Sequence, residues 1–152
     1  MKYYDALVFD LNGTLWLDAP TRTLPSGPHP DSAEFLPELA LEYPLFIVSN
    51  CYPYQLEEYL QVFSKNPFRE TVHFGKYGSS KQKNLEELKK IYQFKKPLYV
   101  GDSPSDQLAA HRAGYSFVWA AYTAENFELP PGPQLKNLKD LSRFLKINPD
   151  EI

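Results

Sequence analysis

The chain has 152 residues, 43% hydrophobic and 23% charged, a composition that suits one packed domain over 1–152 and excludes a disordered chain. A formal net charge of −3, with Lys and Arg scattered, argues against a general nucleic-acid or membrane-surface binder. A single cysteine, Cys51, no signal-like apolar segment at the N-terminus and no membrane-length apolar run make a soluble cytoplasmic protein the expectation.

The first apolar run, Asp5-Ala-Leu-Val-Phe-Asp10, reads as a strand stopped by the turn signal Asn12-Gly13. Residues 15–30 are rich in Pro, Gly, Thr and Asp and read as a loop. Helical spacing follows over 31–42, with Asp31 or Ser32 as N-cap and Pro44 as the stop. Residues 45–49 form a second apolar strand. Pro53 then opens a helix whose apolar face is Leu56, Tyr59, Leu60 and Phe63. A short strand is predicted at 71–74, and a lysine-rich amphipathic helix from Ser79 or Ser80 to Tyr92. Residues 98–100 form a strand, 103–113 a helix closed by Gly114, 116–121 a strand and 138–145 a final helix. Strands alternating with helices imply βαβ units. The expected fold is α/β: a three-layer Rossmann-like sandwich around a parallel sheet of about five strands.

Polar residues gather at the carboxyl ends of these strands: Asp10, Ser49, Asn50 and Asp102. Singly, each reads as a turn or cap residue. Together they lie where open parallel sheets bind ligands. Asp10-Leu-Asn12-Gly-Thr14-Leu15 resembles the first motif of the haloacid dehalogenase superfamily, Asp-x-Asp-Gly-Thr. Phe46-Ile-Val-Ser49-Asn50 resembles the second motif, and Val100-Gly-Asp102-Ser-Pro-Ser-Asp106 the fourth. Lys81 is the best match to the third-motif lysine, ahead of Lys76 and Lys83.

The resemblance implies phosphoryl transfer through an aspartyl-phosphate on Asp10. A Mg²⁺ held by Asp10, Asp102 and the residue-12 carbonyl would offset the clash between phosphate and carboxylate, with Asp106 holding a metal water or a neighbouring donor. Lys81 would place positive charge on the phosphate and on Asp10. The Ser49 hydroxyl, the Asn50 amide and the amides of the turn after Asp10, at Gly13 and Thr14, are the expected phosphate binders.

One position departs from the pattern. Where family phosphatases carry an acid–base Asp, this chain has Asn12, which can neither protonate a leaving oxygen nor deprotonate water. Hydrolysis should therefore be slower by ~10²–10⁴-fold unless another group substitutes. A natural enzyme with altered chemistry, an engineered trap and a binding module all fit Asn12, as does deamidation of Asn12-Gly13 to restore a carboxylate. The alternative function is a weak or inactive phospho-ligand-binding or regulatory protein. A receiver-type domain fits poorly, because its acceptor Asp follows the third strand.

The segments between Asp10 and Ser49, and between Asn50 and Lys81, are too short for a full cap domain. A capless site faces solvent and accepts small or macromolecular phosphate esters, with homo-oligomerisation as one means of closure. The 15–30 loop is the expected minimal lid, with Trp16 packed beneath it or lining the entrance, and Tyr52 and Tyr54 near the mouth.

Overall fold

The computed structural model describes residues 2–123 and 132–152. In chain order its elements are β1 (Ala6–Phe9), β2 (Trp16–Leu17), β3 (Gly27–Pro28), α1 (Ser32–Leu39), β4 (Leu45–Val48), α2 (Pro53–Leu60) and β5 (Phe68–Val72). The second half adds α3 (Lys81–Tyr92), β6 (Pro97–Gly101), α4 (Pro104–Ala113), β7 (Ser116–Ala120), β8 (Gln134–Leu135) and α5 (Leu141–Phe144). Six strands form one parallel sheet in the order β5-β4-β1-β6-β7-β8. β2 and β3 pair separately as an antiparallel hairpin.

The central strand explains the layers. Every residue of β1 is buried, as a parallel strand covered on both faces requires. Its period of two sends Ala6 and Val8 to one face and Leu7 and Phe9 to the other. Ala6 and Val8 join Leu85 and Leu88 of α3 and Ala110 and Ala113 of α4. Leu7 and Phe9 join Leu36 of α1, Leu56 and Tyr59 of α2, and Leu141 and Phe144 of α5. Each fully buried Leu or Phe contributes roughly 1.5–3 kcal/mol. The α/β three-layer sandwich is therefore present.

Several elements differ from the sequence reading. The sheet has six strands rather than about five, because β8 is only two residues long and leaves no periodic trace. The 15–30 segment is partly ordered into the β2–β3 hairpin instead of being all loop. β5 begins at Phe68, not at 71, because Phe68 pairs with Leu45 and is buried although polar Arg69 and Glu70 follow it. Such charges suit a sheet edge. The last predicted helix splits into a 3₁₀ turn, Leu138–Asp140, and the short α5. Between β1 and β4 the chain forms the hairpin and α1, and between β4 and α3 it forms α2 and β5. Among the described residues no helix is long and apolar enough to cross a membrane.

Candidate active site

Parallel pairing of the two central strands builds the site. β1 and β6 lie side by side with Phe9 opposite Val100, and the Asp10 amide donates to the Val100 carbonyl at 2.9 Å. Asp10 and Asp102, just past the carboxyl ends of these strands, therefore emerge together. The turn after Asp10 winds tightly: the amides of Thr14, Leu15 and Trp16 all donate to the Leu11 carbonyl. Gly13 takes φ +85°, and a Cβ there would lie 1.8 Å from Asp102 Oδ2. Glycine at this position supplies both the left-handed turn and the space that Asp102 fills.

Lys81, the first residue of α3, reaches across the sheet edge. Its Nζ donates to Asp10 Oδ1 at 3.1 Å and to Asp106 Oδ1. Ser80 caps α3 by accepting the Lys83 amide, and buried Asn84 holds the preceding turn. Asn84 Oδ1 accepts the Tyr77 and Gly78 amides, each at 3.0 Å, and its Nδ2 donates to the Gly78 carbonyl. Asp106 has two jobs. Its Oδ2 accepts the Asp102 and Ser103 amides, completing a capping box on α4, while its Oδ1 accepts Lys81.

Three carboxylates and one ammonium share this corner, and the imbalance shows in their protonation. Burial pushes the Asp10 carboxyl up to about 6, against the opposing pull of Lys81. Burial, then the neighbouring charges of Asp10 and Asp106, push Asp102 up to about 8. Burial also opposes ionisation of Asp106, but Lys81 and the Asp102 amide hold it below the usual carboxylate range. Lys81 is desolvated too, yet the two carboxylates keep it charged and raise its pKa.

These residues fit a hard divalent cation. Asp10, Asp102 and Asp106 present oxygens that all lie within 4.8 Å of one another, a donor type suited to Mg²⁺. The raised Asp10 and Asp102 carboxyls reflect the excess of carboxylates over cations at this corner. Asp10, Asp102 and the Asn12 carbonyl would hold the ion. Asp106 has its oxygens engaged by Lys81 and two amides, the neighbouring-donor role expected of it, while it remains within reach of the same cation.

The phosphate-binding expectation is revised. The amides of Gly13 and Thr14 are already bonded, to the Trp16 and Leu11 carbonyls. Those of Leu11 and Asn12 have no partner among the described residues and are the ones available to an oxyanion. Ser49 is buried at the end of β4 with its amide on the Val72 carbonyl, while Asn50 is exposed.

Asn84 and a polar support under the hairpin escaped the sequence reading. The Tyr122 hydroxyl donates to the Thr14 carbonyl at 2.6 Å, and the His29 ring packs edge-on to Tyr122 at 4.7 Å. His29 Nδ1 accepts the Asp31 amide at 3.1 Å. Burial, opposed by Asp31, lowers the His29 pKa, so the ring is neutral and carries its proton on Nε2. Among the described residues that Nε2 and the Thr14 hydroxyl, both buried, lack partners. A buried histidine in a Pro-Gly-rich segment carries no spacing that would reveal it. Trp16 is half-buried against the core and also lines a small cleft with Asn12 and Tyr54.

The family model for haloacid dehalogenase-like hydrolases matches residues 25–120. Solved structures share the fold over nearly the whole of both chains. A predicted phosphoglycolate phosphatase from Haemophilus somnus is 16% identical, with TM-score 0.70, covering 95% of this chain and 99% of its own. The magnesium-bound HAD-hydrolase YfnB from Bacillus subtilis is 16% identical, with TM-score 0.70 and coverage of 96% and 100%. The L-2-haloacid dehalogenase from Xanthobacter autotrophicus is 15% identical, with TM-score 0.71 and coverage of 94% and 98%. At such identities the likeness concerns the fold alone. No curated protein sequence matches the chain.

Proposed function

The chain belongs to the haloacid dehalogenase-like hydrolase family, and from that premise we propose that it is a Mg²⁺-dependent phosphohydrolase acting through Asp10. The observation that carries this reading is the convergence of Lys81 on Asp10 and Asp106, with Asp102 seated against Gly13. A structural ion pair would need one carboxylate. Three, gathered around one lysine, make a place for a cation and a nucleophile.

In the proposed reaction an oxygen of Asp10 attacks phosphorus, forming the P–O bond to Asp10 as the bond to the leaving oxygen breaks. Lys81 balances charge on Asp10 and on the phosphoryl oxygens. The Leu11, Asn12 and Asn50 amides and the Ser49 hydroxyl hold the other oxygens. When bound, Mg²⁺ would withdraw charge from the phosphoryl group and suppress repulsion between it and Asp10. Water then attacks the aspartyl-phosphate and releases inorganic phosphate and Asp10. Asn12 offers no proton in the first step and takes none in the second, so turnover is slow.

We read the chain as a single domain without a full cap, its β2–β3 hairpin within 15–30 acting as a local lid. The specific observation favouring a second reading, a phospho-ligand-binding protein, is Asn12 itself. Mg²⁺-dependent hydrolysis of an aryl phosphate separates the two. Asp10→Ala should abolish activity, and Asn12→Asp should raise it by ~10²-fold or more. Absence of turnover by both the native chain and Asn12→Asp over a range of phosphate esters would overturn the hydrolase reading.

A further inference from the structure

At the mouth of this site two tyrosines are more exposed than any other Tyr, Phe or Trp among the described residues. Tyr52 and Tyr54 are 66% and 62% exposed, whereas Tyr4, Tyr43, Tyr59, Tyr99, Tyr115 and Tyr122 are buried. Their rings stack 5.9 Å apart at an interplanar angle of 10°. Their backbone is held firmly: Tyr52 is the N-cap of α2, its amide donates to Gln55 Oε1 at 2.9 Å, and Pro53 opens the helix between them. The fold has no use for two large rings displayed to solvent on a rigid helix start. Such exposure marks a contact surface.

The surface continues into the site. Tyr54 lines one cleft with Trp16 and Asn12, the residue two positions beyond the proposed nucleophile. A planar group entering along this cleft meets the half-buried Trp16 and Tyr54, whose ring is backed by that of Tyr52. Aromatic rings favour such offset-stacked and edge contacts.

The chemistry at Asn12 points the same way. Without a carboxyl group there, the leaving oxygen departs as an anion and takes its proton from solvent. A phenol titrates at about 10, whereas an alkanol, like water, holds its proton far more tightly. A phenoxide therefore leaves unaided far more readily than an alkoxide.

We propose that the substrates of this site are phosphate esters of phenols, their rings received by Trp16 and the Tyr52–Tyr54 pair. This rests on the phosphohydrolase reading. The P–O bond to the aryl oxygen breaks with its electron pair on that oxygen as the bond to Asp10 forms. The second step still lacks a base at Asn12 and is the slow one. Phenyl phosphate should therefore release a burst of about one phenol per protein before slow turnover.

The test uses the full chain with Mg²⁺, comparing phenyl phosphate, a phosphotyrosyl peptide and glycerol phosphate. The peptide arm tells a macromolecular source of the aryl group from a small one. Tyr54→Ala should lower kcat/KM for the aryl esters about tenfold, the scale of one aromatic contact, and leave glycerol phosphate unchanged. Asn12→Asp should raise kcat/KM, which reports the first step, more for glycerol phosphate than for phenyl phosphate. Binding supplies a readout free of turnover: phenylphosphonate should bind more tightly than methylphosphonate, and Tyr54→Ala should erase the difference. Equal binding of the two phosphonates to the native chain, or equal loss on aryl and alkyl esters in Tyr54→Ala, overturns the proposal. Hydrolysis without aryl preference would leave the phosphohydrolase reading intact. A Tyr54-dependent preference for phenylphosphonate with no hydrolysis by any form would instead retain the aryl site and remove the hydrolase reading.

Discussion

Replacing Lys81 with methionine removes the cation that Asp10 and Asp106 share while keeping the length of the side chain. All three partners are enclosed, with side-chain exposures of 13%, 6% and 3% for Lys81, Asp10 and Asp106. Removing one member of a buried charged set typically costs about 3–5 kcal/mol, since the remaining charges are left unpaired. At 2–4 °C per kcal/mol for a chain of this size, melting should fall by about 6–20 °C at pH 8. The loss should depend on pH. In the native protein Asp106 is held below its ordinary value of 3.8, so its contribution is present above that value and lost as pH falls through the depressed pKa. In the variant, burial without Lys81 raises both carboxyls. Raised carboxyls stabilise fully only below their unfolded values, and that stability drains away as pH climbs through the raised pKa values. The gap between native protein and variant should therefore be widest near pH 8 and shrink toward pH 4. Thermal unfolding across this range, with and without Mg²⁺, measures it, and Mg²⁺ should narrow the gap by returning positive charge. A melting difference that stays constant from pH 4 to pH 8 would refute the reasoning.

Gly13→Ala should place a methyl group where the Asp102 carboxyl now lies and force a left-handed backbone on alanine. The backbone term alone is ~1–2 kcal/mol, or roughly 2–8 °C in melting, and Mg²⁺ should stabilise the native chain but not the variant; calorimetric titration with Mg²⁺ measures the second effect. His29→Gln probes the support under the hairpin. Burial lowers the His29 pKa below its ordinary 6.5, so native stability should drop as pH falls from about 6.5 through the depressed value, while the variant lacks this slope; urea unfolding at pH 7.5 and 5.5 compares them.

The four charged members of the site were legible because sequence spacing and sheet topology tell the same story. Asp10 and Asp102 each end an apolar strand, and a parallel sheet brings such ends together. Lys81 and Asp106 came from the motif resemblance, and a helix-start position beside a Gly-Ser-Ser turn set Lys81 ahead of Lys76 and Lys83. The partition of hydrogen bonds was not legible. That the Gly13 and Thr14 amides turn inward, leaving those of Leu11 and Asn12, depends on how the turn winds around the Leu11 carbonyl. A neighbouring donor was expected of Asp106, but not which ones, since a capping-box acid and a lysine-orienting acid look alike in a sequence. Asn84 lies on an amphipathic helix where a buried Asn has no periodic signature, and its role appears only when the turn at 77–78 folds over it. Short β8 and the hairpin strands are defined by pairing with distant partners. No local pattern carries them.

The bridge from Lys81 has a consequence for the order in which the molecule becomes competent. It closes a loop of 71 residues to Asp10 and another of 25 to Asp106. The first contact needs β1 and α3, and the second α3 and α4, docked at the carboxyl end of the same sheet, and long loops close late because their entropy is lost before their contacts form. In refolding from denaturant, helical signal should therefore return first, and Mg²⁺ affinity only with the final consolidation of the sheet. The metal site would then serve as a clock for the last stage of folding.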